Sequence, residues 1–406
     1  MVKIRFNKFQ LLVFFLCVGL FVLPSSLRGA INDSPYMEIN FIALAALCCI
    51  YLNNIKKPAC ISAIKTNKWL EKWCMLSLIL LLITFVILTV KRKDYESCLA
   101  YFVMIIFPAL FSNFEFKDSA IFKGLAKVWM VFLHGSAIFM IVGSLCDILF
   151  DNYVSMFFTN FFQITSLYNS AQAGRMVSYM GHPLLSCELF LIYYVTYYLY
   201  TTKYLQKREK IYPVLFSLLG IALTGSKAGI VLILAAIILF HANWQGQKIV
   251  PFALLGILLL YGLGLFDLVI ERLRIGIQSG DITTTRNTAL AALLSRGELT
   301  FDWFSGQNID YSWEMVAALE YPVLRWAYQF GIAVTLSLTF AVFVNPALKL
   351  LQYRVKKEWL FGLGIVAVFV NTYNGLALQR DHMMLYCATV IFLVNMARNS
   401  KGVMEQ

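Results

Sequence analysis

The chain has 406 residues, 60% of them hydrophobic and 14% charged, with a mean hydropathy of +0.71. A soluble globular chain sits near half apolar and a quarter charged, so these figures exclude a soluble enzyme, a disordered protein and a coiled coil. The net charge of +12 sits on no basic run interleaved with aromatics, so it points to the positive-inside bias of a membrane protein and not to nucleic acid.

A bilayer-crossing helix needs roughly 17–25 apolar residues. Such runs, some with blurred ends, lie at about 10–24, 37–52, 74–90, 98–112, 128–146, 183–201, 211–224, 227–242, 249–266, 321–344, 359–374 and 383–397. They predict an all-α, polytopic membrane helix bundle of about twelve transmembrane helices, a single integral membrane domain over residues 1–406. Lys3, Arg5 and Lys8 precede the first run as in a signal peptide, but no A-x-A site follows and further spans do, so it reads as a retained helix. With the N-terminus inside, Lys56, Lys57, Lys65, Lys68, Lys72, Lys117, Lys123, Lys127, Lys203, Lys207, Arg208, Lys210, Lys248, Lys349, Arg354, Lys356, Lys357, Arg398 and Lys401 also fall inside. That bias predicts an even span count with both termini cytoplasmic. The nine cysteines fall mostly in apolar runs, with no C-x-x-C and no Cys/His cluster, so neither a disulfide framework nor a zinc site is expected.

Two outer segments are longer than hairpins: residues 147–182, and the large loop 267–320 between the ninth and tenth runs. In the second, Leu268, Ile270, Leu273, Ile275 and Ile277, then Ala289, Leu290, Leu293 and Leu294, predict short amphipathic helices on the membrane surface. A solvated spacer is the plainer alternative.

Cations on the outer side run against the bias. Lys91, Arg92 and Lys93 flank a run and are expected to snorkel. Arg175, Lys227, Arg272, Arg274, Arg286 and Arg296 lie in outer segments or turns, Arg325 lies inside the tenth run, and Arg380-Asp381-His382 opens the last. Charges at membrane depth seldom face lipid, so these residues either line a cavity or pair with carboxylates that tie helices together. His182-Pro183 and Tyr321-Pro322 read as helix starts with Pro at the first position, and Ser226 as a cap. Helix N-termini beside fixed cations suit an anion, and a diphosphate on a membrane lipid fits a boundary site. The histidines are dispersed, no H-E-x-x-H occurs, and Gly225-Ser226-Lys227 lacks the upstream glycine of a P-loop, so no metal and no nucleotide cofactor is expected.

Three stretches carry a resemblance. Gly174-Arg175 through Gly181-His182-Pro183 resembles an "R…G…HPN" motif opening a middle span; Leu223-Thr224-Gly225-Ser226-Lys227-Ala228-Gly229 is similar to an "LT-x-SRG" turn; and Arg274 through Thr285-Arg286-Asn287, Phe304-Ser305-Gly306, Glu320-Tyr321-Pro322 and Tyr328-Gln329-Phe330-Gly331 resembles a loop-to-span signature. In this order the motifs, over roughly residues 165–340, resemble those of bacterial O-antigen ligases and Wzy-type polysaccharide polymerases. The resemblance implies a glycosyltransferase-C-like helical fold in the bacterial inner membrane. It also implies inverting, metal-independent joining of undecaprenyl-diphosphate-linked oligosaccharides at the outer face. Arg175 and Arg286 match family arginines, Lys227 stands where Arg is usual, and Glu320 stands where ligases carry His, which favours a polymerase. A chain-length regulator is a further candidate partner.

The expected mechanism has a sugar hydroxyl attack an anomeric carbon while Arg175, Lys227, Arg286 and Arg325 hold the departing diphosphate. Glu320 is the first candidate base and His182 the second. Arg325 is a candidate to orient Glu320, although five residues of helix place them about 140° apart. Tyr321, Trp303 and Trp313 are candidates for stacking on sugars, or interfacial anchors. The alternatives are an O-antigen ligase, a lipid-linked oligosaccharide flippase, which would be expected to show repeated halves, and a structural membrane subunit.

Overall fold

Apolar runs with little water to bond satisfy their backbone groups internally, and the helix does this within one segment. In the computed structural model, which describes residues 8–32, 39–55, 68–116, 118–241, 249–283, 285–309, 312–378 and 380–401, every regular element among the described residues is helical. Lys3, Arg5, Lys56, Lys57, Lys65, Lys117 and Lys248, which carry part of the charge bias, lie outside the described residues.

The chain begins with α1 (Lys8–Cys17), prolonged by a π-helical turn to Val22, then α2 (Ser25–Ile31), α3 (Phe41–Ile55), α4 (Lys68–Arg92), α5 (Tyr95–Tyr101), α6 (Phe107–Phe111) and α7 (Ser119–Leu149). The first outer segment holds α8 (Tyr153–Phe162) and α9 (Thr165–Gln172). α10 (Pro183–Tyr198) runs on through a π turn to Tyr204, and α11 (Tyr212–Leu223), α12 (Lys227–Phe240) and α13 (Ile249–Gly262) follow. The large loop holds α14 (Asp267–Gln278), α15 (Arg286–Ser295) and α16 (Trp313–Ala318). α17 (Pro322–Phe330), α18 (Ile332–Thr339), α19 (Asn345–Gln352), α20 (Lys357–Val370) and α21 (His382–Lys401) complete the bundle.

Among the described residues, three helices are long and apolar enough to cross a membrane: Trp69–Arg92, Ser119–Leu149 and Ile332–Gln352. Two bent pairs raise the number to five if each counts as one span, Lys8–Val22 with Ser25–Ile31 at 76° and Val250–Gly262 with Asp267–Gln278 at 80°. The expectation of about twelve is therefore met only in part among the described residues. Phe41–Asn53, Tyr95–Phe111, Tyr212–Leu223 and Lys227–Phe240 are apolar but only 10–17 residues long. At 1.5 Å per residue they cover roughly 15–26 Å, short of a hydrocarbon core of about 30 Å. The first run, about 10–24, is the helix Lys8–Val22; it ends at Leu23-Pro24, where proline cannot donate to the preceding turn, and α2 leaves at 76°.

α10 and α21 form the centre. Leu185–Thr196 and Asp381–Ala397 are buried without interruption, and α10 packs on α7, α11, α12, α20 and α21. Because protein surrounds them, these helices tolerate Glu188, Thr196, His382 and Asn395, which lipid-facing helices would not.

The two long segments that the sequence places outside, 147–182 and 267–320, contain helices. α15 and α16 close over a separate small core of Ala289, Leu293, Leu299, Met315 and Leu319. On α14, Val269 and Gly276 face inward while Ile270, Ile275 and Ile277 stay exposed, as expected of an amphipathic helix with an apolar outer face. The segment 302–307 lies against the junction of α17 and α18 through Gln307 N–H to Tyr328 O (2.8 Å) and Ile332 N–H to Asp302 O (2.9 Å). Gly306 permits this approach, since a Cβ there would stand 1.6 Å from the Gln329 carbonyl oxygen.

Candidate functional site

The first outer segment is anchored by Asp147. Its carboxylate accepts from Ser155 N–H (2.9 Å) and Ser155 Oγ (2.6 Å), and Ser155 Oγ accepts from Val177 N–H (2.8 Å). Met176 N–H then donates to Leu223 O (2.9 Å), which fixes Arg175 beside the turn joining α11 to α12. Ser226 caps α12 as expected, accepting from Gly229 N–H (3.1 Å). His182 caps α10 ahead of Pro183, its Nδ1 accepting from Leu184 N–H (3.2 Å).

Around this turn three cations are held by main-chain carbonyls. Arg175 Nε donates to Thr224 O (2.9 Å), Arg272 Nη1 to Gly225 O (2.8 Å) and Lys227 Nζ to Ile282 O (2.5 Å). A carbonyl orients a cation without neutralising it. Arg175 Nη2 is buried and has no hydrogen-bond partner. Burial, with Arg272 and Arg286 nearby, pulls the Arg175 guanidinium down to about 10. Arg286 opens α15, ion-paired with Glu320 and donating from Nη1 to Thr372 O (2.6 Å). Lys227 lies within electrostatic reach of Arg272 and Arg286, and of the opposite charge on Asp281. Asp281 is occupied by the end of α15: hydrogen bonds from Thr283 and Thr288 hold its carboxyl well below the usual range.

Arg175, Lys227 and Arg286, from three separated stretches, thus converge as the sequence predicts. Arg272 joins them, although it drew notice in the sequence only as one of several loop arginines; its approach to Gly225 follows from the bend before α14. Arg325 is placed differently. It is buried and its Nε donates to Gln329 Oε1 (3.3 Å), whose Nε2 donates to Tyr101 Oη (3.1 Å). The carboxylate of Glu320 is ion-paired with Arg286. Arg92 donates to Gln329 O (3.1 Å) and to Asn308 Oδ1, which ties the end of α4 to the large loop. Among the aromatic candidates, Tyr321 Oη donates to Asn287 Oδ1 (3.0 Å), while Trp303 and Trp313 are exposed.

His182 is half-buried, and burial first, then Arg175, His382 and Arg380, press its pKa down to about 3. Near it lies a polar cluster of Glu188 on α10, Tyr373 and His382; sequence reasoning marks His382 only within Arg380-Asp381-His382 and misses the other two. The available signal was a lone carboxylate six residues after His182 within an apolar run. Asp381, beside His382, is ion-paired with Arg28 on α2 (2.9 Å) and accepts from Asn40 Nδ2 (3.0 Å), tying both ends of the chain to this side of the bundle.

An apolar cleft of about 310 Å³ borders the first outer segment, lined by Phe139, Met140, Val142, Tyr153, Phe157 and Met176 among others. Met176 directly follows Arg175, so cationic and apolar surfaces adjoin.

No protein-family model matches this chain, and a search of curated proteins finds no match either.

Proposed function

We propose that the chain is a polymerase of the bacterial inner membrane, with about twelve spans and a glycosyltransferase-C-like bundle. It joins undecaprenyl-diphosphate-linked oligosaccharide repeat units at the outer face by inverting, metal-independent glycosyl transfer. The observation that carries this reading is the convergence of Arg175, Lys227 and Arg272 on carbonyls, with Arg175 Nη2 unpartnered, beside Arg286. Such a site keeps its positive charge and meets a diphosphate whose charge grows as the glycosyl bond breaks. Helix starts at His182 and Ser226 add N–H groups and a positive dipole end. The adjoining apolar cleft suits the tail of the same lipid.

Glu320 holds the place of an anion on Arg286. An incoming diphosphate takes Arg286 from it, and arginine's planar fork then binds two phosphate oxygens. The flippase reading and the ligase reading both use the same cations but differ in product. The deciding experiment mixes the purified protein with lipid-diphosphate-linked repeat units, without nucleotide or added metal. A ladder of lengthened glycans on lipid is expected. Unchanged single units that move across a vesicle membrane support a flippase, and transfer to a different lipid acceptor supports a ligase.

A further inference from the structure

Glu188, Tyr373 and His382 are buried to 1%, 3% and 3% exposure, deep between α10, α20 and α21. Tyr373 Oη donates to Glu188 Oε2, and His382 Nδ1 lies 3.1 Å from Tyr373 Oη and 3.4 Å from Glu188 Oε2. The Tyr373 proton is committed to the carboxylate, so the phenol oxygen and the carboxylate both face Nδ1 as acceptors. A hydrogen on Nδ1 satisfies both acceptors and leaves the lone pair on Nε2, on the far side of the ring. Glu188 Oε1 has no partner at all. An unsatisfied carboxylate oxygen in the interior is expensive, and helix packing alone gives no reason to keep it.

The cluster adjoins the residues that hold the cations. Thr372, whose carbonyl takes Arg286, is the neighbour of Tyr373. Cys187, the neighbour of Glu188, packs under the turn held by Arg175 and Arg272: a Cβ at Gly229 would stand 2.3 Å from Cys187 Sγ. His182 has both Arg175 and His382 within electrostatic reach.

We propose that His382, held and charge-supported by Glu188 and Tyr373, is the proton acceptor of the transfer reaction. This rests on the glycosyl-transfer reading above. The acceptor hydroxyl loses its proton to His382 Nε2 as its oxygen bonds the anomeric carbon. The bond from that carbon to the diphosphate oxygen breaks, its electron pair leaves with the diphosphate, and the cations take the added charge. The imidazolium is stabilised through Nδ1–H by Glu188, the arrangement by which a buried carboxylate supports a histidine base, and it returns its proton to water once product leaves. The two bases expected from the sequence are less suited: Glu320 is ion-paired with Arg286, and His182 spends its Nδ1 lone pair on Leu184 N–H.

The test compares His382→Gln, Glu188→Gln, Glu188→Asp, Tyr373→Phe and Glu320→Gln in the full-length protein, following chain-extension rate and competition by undecaprenyl diphosphate for donor binding. His382→Gln is expected to lower kcat by about 10²–10⁴-fold with donor binding nearly unchanged. Glu188→Gln is expected to lower kcat less and to displace the acidic limb of its pH profile, with Glu188→Asp recovering part of the loss. The charged and titratable groups around His382 are Glu188, Tyr373, Arg380, His182 and the Arg28–Asp381 pair. Tyr373→Phe removes a single hydroxyl and serves if a carboxylate variant fails to fold; a fall in kcat at constant binding is expected of it too. Near-normal kcat in His382→Gln, loss of donor binding in step with activity, or inactivation by Glu320→Gln alone overturns the assignment to His382 while leaving the polymerase reading standing. A wild-type protein that binds the lipid diphosphate but extends no chain overturns the polymerase reading itself.

Discussion

The two ends of α10 and α20 carry cations on different terms. At the Tyr204 end of the central helix, cations meet carboxylates: Lys203 pairs with Glu358 at 2.7 Å, and Lys349 and Arg398 share Glu115 at 2.9 and 3.1 Å. At the Pro183 end, Arg175, Lys227 and Arg272 meet carbonyls, Arg286 pairs with the partly exposed Glu320, and the buried Arg28–Asp381 pair ties α2 to the start of α21. The first arrangement neutralises charge and ties helices. The second keeps charge and aims it. Paired groups explain stability; cations gathered on carbonyls, one of them with an idle nitrogen, call for an outside anion.

The sharpest way to break the contrast is to remove the aimed cations. Arg175→Ala and Arg286→Ala are expected to lower chain extension by about 10²–10³-fold, the usual cost of losing one donor to a developing oxyanion, with melting temperature little changed. In cells, single lipid-linked units should accumulate on the outer face; accumulation inside would instead favour a flippase. At the opposite end, Glu358→Gln leaves the buried Lys203 uncompensated. It should cost about 3 kcal/mol of stability, seen as a lower melting temperature, while the rate per folded molecule stays the same. If it stops chain extension outright, the two ends are not functionally distinct.

Smaller effects sharpen the comparison. Removing the competing charge by Glu320→Gln should tighten undecaprenyl diphosphate binding severalfold in a competition assay. His182 supplies the pH test. Its folded-state pKa of about 3 lies below the ordinary value near 6.5. Between those values the unfolded chain binds the extra proton, so stability is fully present above about pH 6.5 and declines as pH falls toward 3. Melting temperature should therefore drop between pH 7 and pH 5, and His182→Asn, which retains a capping side chain, should drop less.

Composition and hydropathy made the helical, membrane-type bundle legible, because a chain this apolar has few other ways to satisfy its backbone. The caps at His182-Pro183 and Ser226 were equally legible, since capping is local chemistry. Span number was not: several apolar runs fold as helices of only 10–17 residues, and how long a run stays helical depends on how its ends pack.

The sequence by itself therefore determined the helical, apolar class of structure and singled out a set of cations. Only the tertiary structure decided which of them meet. Arg175, Lys227, Arg272 and Arg286 lie in separate segments, and whether each meets a carboxylate or a carbonyl depends on how those segments pack. The same holds for Glu188, Tyr373 and His382, which lie on different elements and meet only because α10 and α21 share one core. Charge and capping propensity are properties of single residues, whereas pairing is a property of distances that no local pattern encodes.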